Sequence, residues 1–308
     1  MDIIRLKQKL IEKYENKALE DLDGLEIVET KRGDVFNIKS ETSIKFSLKS
    51  EIKAIKCLLS DLKLVKGIGE AKEKKLKLEG YHNLESLVEH PRYGSSAEEV
   101  FNLIKSRDTE KIATFLSDRY GPSHPQMLNS CCFFDIEDFV FMDIETLGLK
   151  NRPVILVGEA SITGNKISVN QYILKDLTDE PAVLSAHLDS VNEESVYVTF
   201  NGRSFDIPYI RDRLNYYKIP HNLDHHHLDL LLFSRRFYGR KLADCQLSTI
   251  ESYLLDMERE DDVPGYLVPE FYKTYLETGN IGPLVPIIDH NRDDIISLAR
   301  IISKMQEL

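Results

Sequence analysis

The sequence predicts an α/β fold: a mixed sheet flanked by helices, with a smaller, mainly helical domain ahead of it. Three observations carry that expectation. The run Phe139-Val140-Phe141-Met142-Asp143-Ile144-Glu145-Thr146 is apolar almost throughout, as a strand covered on both faces must be. Residues 139–146, 154–160 and 166–174 read as three strands in a meander, and strands then alternate with helices. Residues 240–308 read as mostly helical.

The chain has 308 residues and a hydrophobic content of 42%, enough for a sizeable core and for more than one domain. No apolar run approaches a membrane span and Met1–Lys7 has no secretory pattern, so neither membrane nor export is expected. The four cysteines form no C-x-x-C, which implies reduced thiols, a cytoplasmic location and no zinc site. The net charge of −11 is unevenly spread. Residues 1–120 carry 23 Lys and Arg against 22 Asp and Glu; the remainder carries 17 against 29. The acidic excess sits in the part that holds the acids of the apolar strand, as expected of a site that binds metal.

Residues 1–57 are expected to form a helix and hairpin module. Ile3, Leu6, Leu10 and Tyr14 recur at helical spacing up to Gly24, and Leu25–Thr30 and Val35–Ile38 flank a turn. Thr42–Leu48 is a third possible strand. The segment suggests a capping or docking role and no chemistry.

Residues 58–122 read as short helices. In Leu62-Lys63-Leu64-Val65-Lys66-Gly67-Ile68-Gly69-Glu70, two glycines join a short helix to the next, whose first amides point outward towards an anion. Lys66, Lys72, Lys74 and Lys75 surround that point. The bland alternative is a glycine-capped helical hairpin with a solvated lysine face. The segment resembles a helix-hairpin-helix motif, matched at Gly67, Ile68 and Gly69, which implies a grip on a nucleic-acid backbone without base reading. Helices are expected at 96–106, capped by Ser96 with Glu99, and at 108–120, capped by Asp108. Gly121–Pro125 reads as a linker, followed by a domain at 130–308.

In that domain, Asp143 and Glu145 (i, i+2) lie on one side of the strand. Paired carboxylates there either cap the strand or hold a divalent cation. Asp206 follows Asn201-Gly202 at a helix start, where an N-terminal cap is the simpler reading. Asp294 shares a helical stripe with Leu298, Ile301 and Ile302, whereas Asp293 lies on the wet face. A carboxylate on an apolar face needs a cation or an arginine. His290, four residues earlier, lies on the same face. Further strands are expected at 195–200 and 227–232, and helices at 180–190 and 205–217. Asp229 reads as structural, and His225-His226-His227 as a polar strand entry.

Taken together, Asp143-x-Glu145, Asn201-Gly202-x-x-Phe205-Asp206-x-Pro208-Tyr209 and His290-x-x-x-Asp294 resemble the motifs of DEDD-type 3′–5′ exonucleases with a ribonuclease H-like fold. The whole domain resembles more closely the YprB-type ribonuclease H-like family. Leu228-Asp229-Leu230-Leu231, Cys245-x-Leu247-x-x-Ile250-Glu251, Asp262-Val263-Pro264-Gly265 and His290-Asn291 are shared features. The resemblance implies a ribonuclease H-like mixed sheet and hydrolysis of nucleic acid from a 3′ end. Two Mg²⁺ or Mn²⁺ ions would be held by Asp143, Glu145, Asp206 and Asp294. His290 would serve as general base, although many relatives carry tyrosine at that spacing. Asn201, Phe205 and Tyr209 would hold the terminal nucleotide, the alternative for the two rings being helix packing. DNA is favoured slightly over RNA. A structure-specific endonuclease and a non-catalytic nucleic-acid-binding protein are the rival readings.

Overall fold

The computed structural model describes residues 3–259 and 265–307. The helices are α1 (Ile3–Lys13), α2 (Glu51–Leu59), α3 (Glu70–Leu78), α4 (Leu84–Leu87), α5 (Gly94–Ser106), α6 (Thr109–Arg119), α7 (Pro125–Asn129), α8 (Glu180–Ser190), α9 (Asp206–Tyr216), α10 (Leu230–Tyr238), α11 (Leu247–Leu255), α12 (Val268–Thr278) and α13 (Val285–Met305). The strands are β1 (Leu25–Thr30), β2 (Gly33–Ser43), β3 (Phe139–Thr146), β4 (Val154–Thr163), β5 (Lys166–Ile173), β6 (Val196–Thr199) and β7 (His226–Asp229). The chain divides into two compact units, Met1–Phe46 with Ile136–Ile302, and Ser47–Asp135 with Ser303–Leu308.

The first unit is built on one seven-stranded sheet in the order β1-β2-β5-β4-β3-β6-β7. β3 runs antiparallel to β4 and parallel to β6, so the sheet is mixed, as expected. Phe139, Phe141 and Met142 are fully buried, each stabilising the fold by roughly 1.5–3 kcal/mol through apolar transfer. Side chains alternate across β4, and this alternation places helices on both faces. The Cβ that Gly158 lacks would point at Asn291 and Ile295 of α13. Glu159, on the opposite face, reaches His187 of α8 at 2.9 Å.

The N-terminal hairpin departs from the expected separate module at 1–57. β2 pairs along its length with β5, from Phe36↔Ile173 to Ser43↔Lys166, so the hairpin forms the edge of the main sheet. Thr42 and Ser43 end β2 and start no third strand. The reason is long-range: β5 has an unpaired edge, and a strand supplied from far away in sequence satisfies it.

The strand expected at 227–232 stops at Asp229, and Leu230 opens α10. Asp229 causes the switch. Its carboxylate accepts from the amides of Leu231 (3.1 Å), Asn201 (2.8 Å) and Arg203 (3.2 Å), capping one helix and closing the Asn201-Gly202 turn. His227 bonds Thr199 Oγ1 through Nε2 at 2.8 Å, and burial holds the His226 and His227 imidazoles well below their ordinary pKa, near 4 and 3.

The second unit packs α2–α7 around Leu58, Leu62, Leu64, Leu84 and Leu87, all at most 1% exposed. Asp108 caps α6 as expected, accepting from the Lys111 amide at 3.1 Å. Ser96 does not cap α5; that helix already begins at Gly94. Among the described residues no helix is long and apolar enough to cross a membrane. All four cysteines are free thiols.

Candidate functional site

Asp143 lies near the C-terminal end of β3, opposite Gly158 of β4, which in turn faces Gln171 of β5. These positions share the face covered by α13. That helix brings Asp294 inward as its periodicity predicts: the Asp294 side chain is 14% exposed, against 51% for Asp293. Leu298, Ile301 and Ile302 below it are at most 1% exposed. Asp206 opens α9 but does more than start a helix. Its Oδ1 accepts from the Ile144 amide at 3.2 Å, tying the second acidic motif to the first. Glu145 is buried, beside a register shift at Thr146.

The electrostatics show which acids converge. Burial, and then the carboxylates of Asp294, Asp206 and Glu145, hold the Asp143 carboxyl far above its ordinary pKa. Burial pushes Asp206 up to about 7, with Asp229 and Asp294 adding to the effect. Asp294 is also raised by burial, although His290 and Arg259 oppose the shift. The four acids expected from the sequence therefore share one electrostatic environment.

That environment is not a closed metal cage. Among the described residues, no three His, Cys, Asp or Glu side chains are arranged to ligate a metal ion. Arg259 is ion-paired with both Asp294 and Glu251. His290 Nε2 lies 3.7 Å from Asp294 Oδ2, and its Nδ1 lies 3.4 Å from Arg259 Nη1. Still, a hard divalent cation suits this donor set, because carboxylate oxygens are its preferred ligands. The electrostatics at Asp143 fit such an ion: Asp294, Asp206 and Glu145 all push its carboxyl pKa upward, and a bound cation would relieve them.

Two amides complete the surroundings. Asn291, fully buried, donates from Nδ2 to Asp143 Oδ2 (2.9 Å) and to the Asp143 carbonyl (3.1 Å). Gln171 donates to Asn291 Oδ1 at 2.9 Å. Asn291 was visible beforehand only as a family feature, and Arg259 and Gln171 not at all. An apolar-face asparagine next to His290 was the available signal.

The aromatic residues expected to hold a nucleotide have mixed surroundings. Tyr209 is 7% exposed, and its hydroxyl lies 2.7 Å from the Gly148 carbonyl and 2.9 Å from that of Arg152, so it anchors the loop after β3. Phe205 stacks at a tilt on Tyr209, 5.3 Å between centroids. Both line a cleft of about 710 Å³ that also takes in Lys150, Arg213 and Tyr216. Asn201 is exposed, with a left-handed backbone at φ 73°. Asp262, Val263 and Pro264 of the family motif lie outside the described residues.

In the second unit, a 3₁₀ turn at Leu62–Leu64 leads through Gly67, Ile68 and Gly69 into α3. Gly67 has φ 88°, which only glycine adopts freely. Ile68 is buried, whereas Gly67, Gly69, Lys66, Lys72, Lys74 and Lys75 are exposed. Lys72 Nζ donates to the Gly67 carbonyl at 2.7 Å, and Arg119 Nε to that of Lys63 at 2.7 Å, so two cations fasten the carbonyl side of the turn. Nothing stands within 4 Å of where a side chain at Gly67 or Gly69 would begin, so this backbone is open to a ligand.

Comparison with known proteins agrees with the architecture. YprB of Bacillus subtilis (strain 168) is 30% identical over 205 residues, covering 65% of this chain and 48% of that protein. The chain thus spans about half the length of this curated relative. The sequence profile described as RNase_H superfamily matches residues 140–306, the stretch that contains all four acids and His290. Over those residues the chain belongs to the ribonuclease H superfamily.

Proposed function

We propose that the ribonuclease H-like domain is a divalent-metal-dependent nuclease that removes nucleotides from the 3′ end of nucleic acid, DNA being slightly favoured over RNA. The observation that carries this reading is the crowding of Asp294, Asp206 and Glu145 around the Asp143 carboxyl. Unrelieved, that crowding destabilises the fold. Mg²⁺ or Mn²⁺ bound there would supply Lewis-acid activation of water and of the scissile phosphate.

The chain's own residues have distinct parts. Asp143, Glu145, Asp206 and Asp294 would hold the ions. His290 stands beside Asp294 and accepts the proton of the attacking water. Phe205 stacks on the terminal base, and Asn201 offers its exposed amide to the same nucleotide. Tyr209 shapes the loop over which that nucleotide lies. The Gly67 and Gly69 amides of the turn are offered to a phosphate, while that of Ile68 is bonded to the Val65 carbonyl, and Lys66, Lys72, Lys74 and Lys75 add a salt-dependent attraction.

The ion pair between Arg259 and Asp294 favours one competing reading, a nucleic-acid-binding protein that does not cleave. Oligonucleotides labelled at either end, incubated with Mg²⁺, Mn²⁺ or EDTA, separate the possibilities. Metal-dependent loss of the 3′ label first is expected. Internal cuts indicate an endonuclease. Absence of cleavage together with binding that needs Lys72, Lys74 and Lys75 leaves the binding role.

A further inference from the structure

Asn291 sits where α13 crosses the sheet, and the crossing is close because β4 has a glycine there. A Cβ on Gly158 would lie 1.9 Å from Asn291 Oδ1 and 2.5 Å from Ile295 Cδ1. Gly158 is the register partner of Asp143 on one side and of Gln171 on the other. The missing side chain therefore opens a slot between the acid and the glutamine. Asn291, 0% exposed, fills that slot and touches both.

The orientation of both amides follows from hydrogen-bond polarity. Gln171 Nε2 lies 2.8 Å from the Ile288 carbonyl, which can only accept, so that atom is the nitrogen. Its second bond, at 2.9 Å, then requires Asn291 to present oxygen towards Gln171. Asn291 must in turn present nitrogen towards β3. There it meets the Asp143 carbonyl at 3.1 Å and Oδ2 at 2.9 Å, and the carbonyl again can only accept. Main-chain carbonyls thus fix both ends of the relay, and neither amide can flip without placing oxygen against oxygen. The arrangement has a cost: Gln171 Oε1 is buried with no hydrogen-bond partner among the described residues. Buried polar atoms left unpaired are uncommon, and a functional constraint is one reason they persist.

We infer that Asn291, oriented by Gln171 and accommodated by Gly158, is a positioning residue that fixes the Asp143 carboxylate for metal binding. One oxygen of Asp143, Oδ2, is held by the amide, which fixes the plane of the carboxylate. The inference rests on the proposed metal-dependent reading of the acid cluster. Outer contacts of this kind commonly tune metal affinity by about 10- to 100-fold.

The test uses the full chain and Mn²⁺ alone, titrated calorimetrically into wild type, Asp143→Asn, Asn291→Leu and Gln171→Leu. Melting in EDTA is recorded for each. Leucine keeps the approximate shape of asparagine and removes the amide. Asn291→Leu is expected to weaken Mn²⁺ binding by about tenfold or more while still melting cooperatively in EDTA. Excess Mn²⁺ should restore cleavage, as a loss confined to positioning allows. Gln171→Leu should weaken binding by a smaller factor, and the double variant should be no weaker than Asn291→Leu, because both act through one contact. Mn²⁺ affinity equal to wild type in a folded Asn291→Leu protein overturns the inference and leaves the nuclease reading standing. If Asn291→Leu does not fold, unchanged affinity in Gln171→Leu overturns it instead. If wild type shows no Mn²⁺ binding that Asp143→Asn removes, the metal reading and this inference fall together.

Discussion

Two groups of buried carboxylates lie in the same unit, and they are managed in opposite ways. Glu180 at the start of α8 is fully buried and fully matched. Arg213 clasps it with Nε at 2.7 Å and Nη2 at 2.6 Å, the Tyr217 hydroxyl donates at 2.8 Å, and the Val154 amide donates at 2.9 Å. Around Asp143 the balance is reversed. Its largest neighbours in charge are three more carboxylates, and Asn291 is the hydrogen bond that opposes them. A buried acid with its own cation is a structural fastening. Buried acids that raise one another's pKa favour a proton or a bound cation over a bare pair of charges.

The comparison is sharpest where substitutions should act with opposite sign. Asp143→Asn is expected to lower metal-dependent cleavage roughly a thousandfold, equivalent to about 4 kcal/mol in the barrier. The same change should raise the melting temperature in EDTA by about 2–4 °C, since it removes repulsion. A fall in melting temperature would mean the acid cluster is a structural fastening like Glu180. Glu180→Ala should do the reverse and cost about 3–5 kcal/mol of stability by stranding Arg213. Calorimetric Mn²⁺ affinity of the protein that remains folded should not change.

A pH series separates the two groups less drastically. Asp206 is raised to about 7, so the folded chain binds that proton more tightly than the unfolded chain does. Its stabilising contribution is complete below the ordinary carboxyl pKa of about 4 and is lost as pH rises through about 7. In EDTA, melting should therefore fall across that window. Mn²⁺ affinity should rise across it, because a protonated carboxyl cannot ligate. Melting that is flat in EDTA over the window, measured beside Asp206→Asn, would remove Asp206 from the group. The smallest effect is expected at Arg259, which competes for Asp294. Arg259→Gln should tighten Mn²⁺ binding by about threefold, the scale of a partly exposed ion pair. Weaker binding would show that Arg259 supports the site instead.

Much of this was readable in advance, for local reasons. The inward turn of Asp294 and the outward turn of Asp293 follow from helical periodicity and hold in the structure. The mixed sheet follows from a meander succeeded by strand–helix alternation, and the interior place of β3 from its apolar run. The end of β7 at Asp229 was missed because Leu230-Leu231-Leu232 continues the apolar run. Asp229 caps α10 through the Leu231 amide and is held in place by the amides of Asn201 and Arg203, 28 and 26 residues away. The pairing of β2 with β5 was not legible, because the two strands lie more than a hundred residues apart.

The sequence alone determined which residues share a strand side or a helix stripe, since those relations depend only on periods of 2 and 3.6 residues. It also limited the partner of Asp294 to a cation or an arginine, because a carboxylate on an apolar stripe must be matched. The tertiary structure brought Arg259, from a distant part of the chain, to Asp294. It also set Asn291 against Asp143 across 148 positions of chain. Which side chains meet across a sheet and a crossing helix depends on register and on how closely the backbones approach. At Gly158 the approach is set by the absence of a single carbon atom.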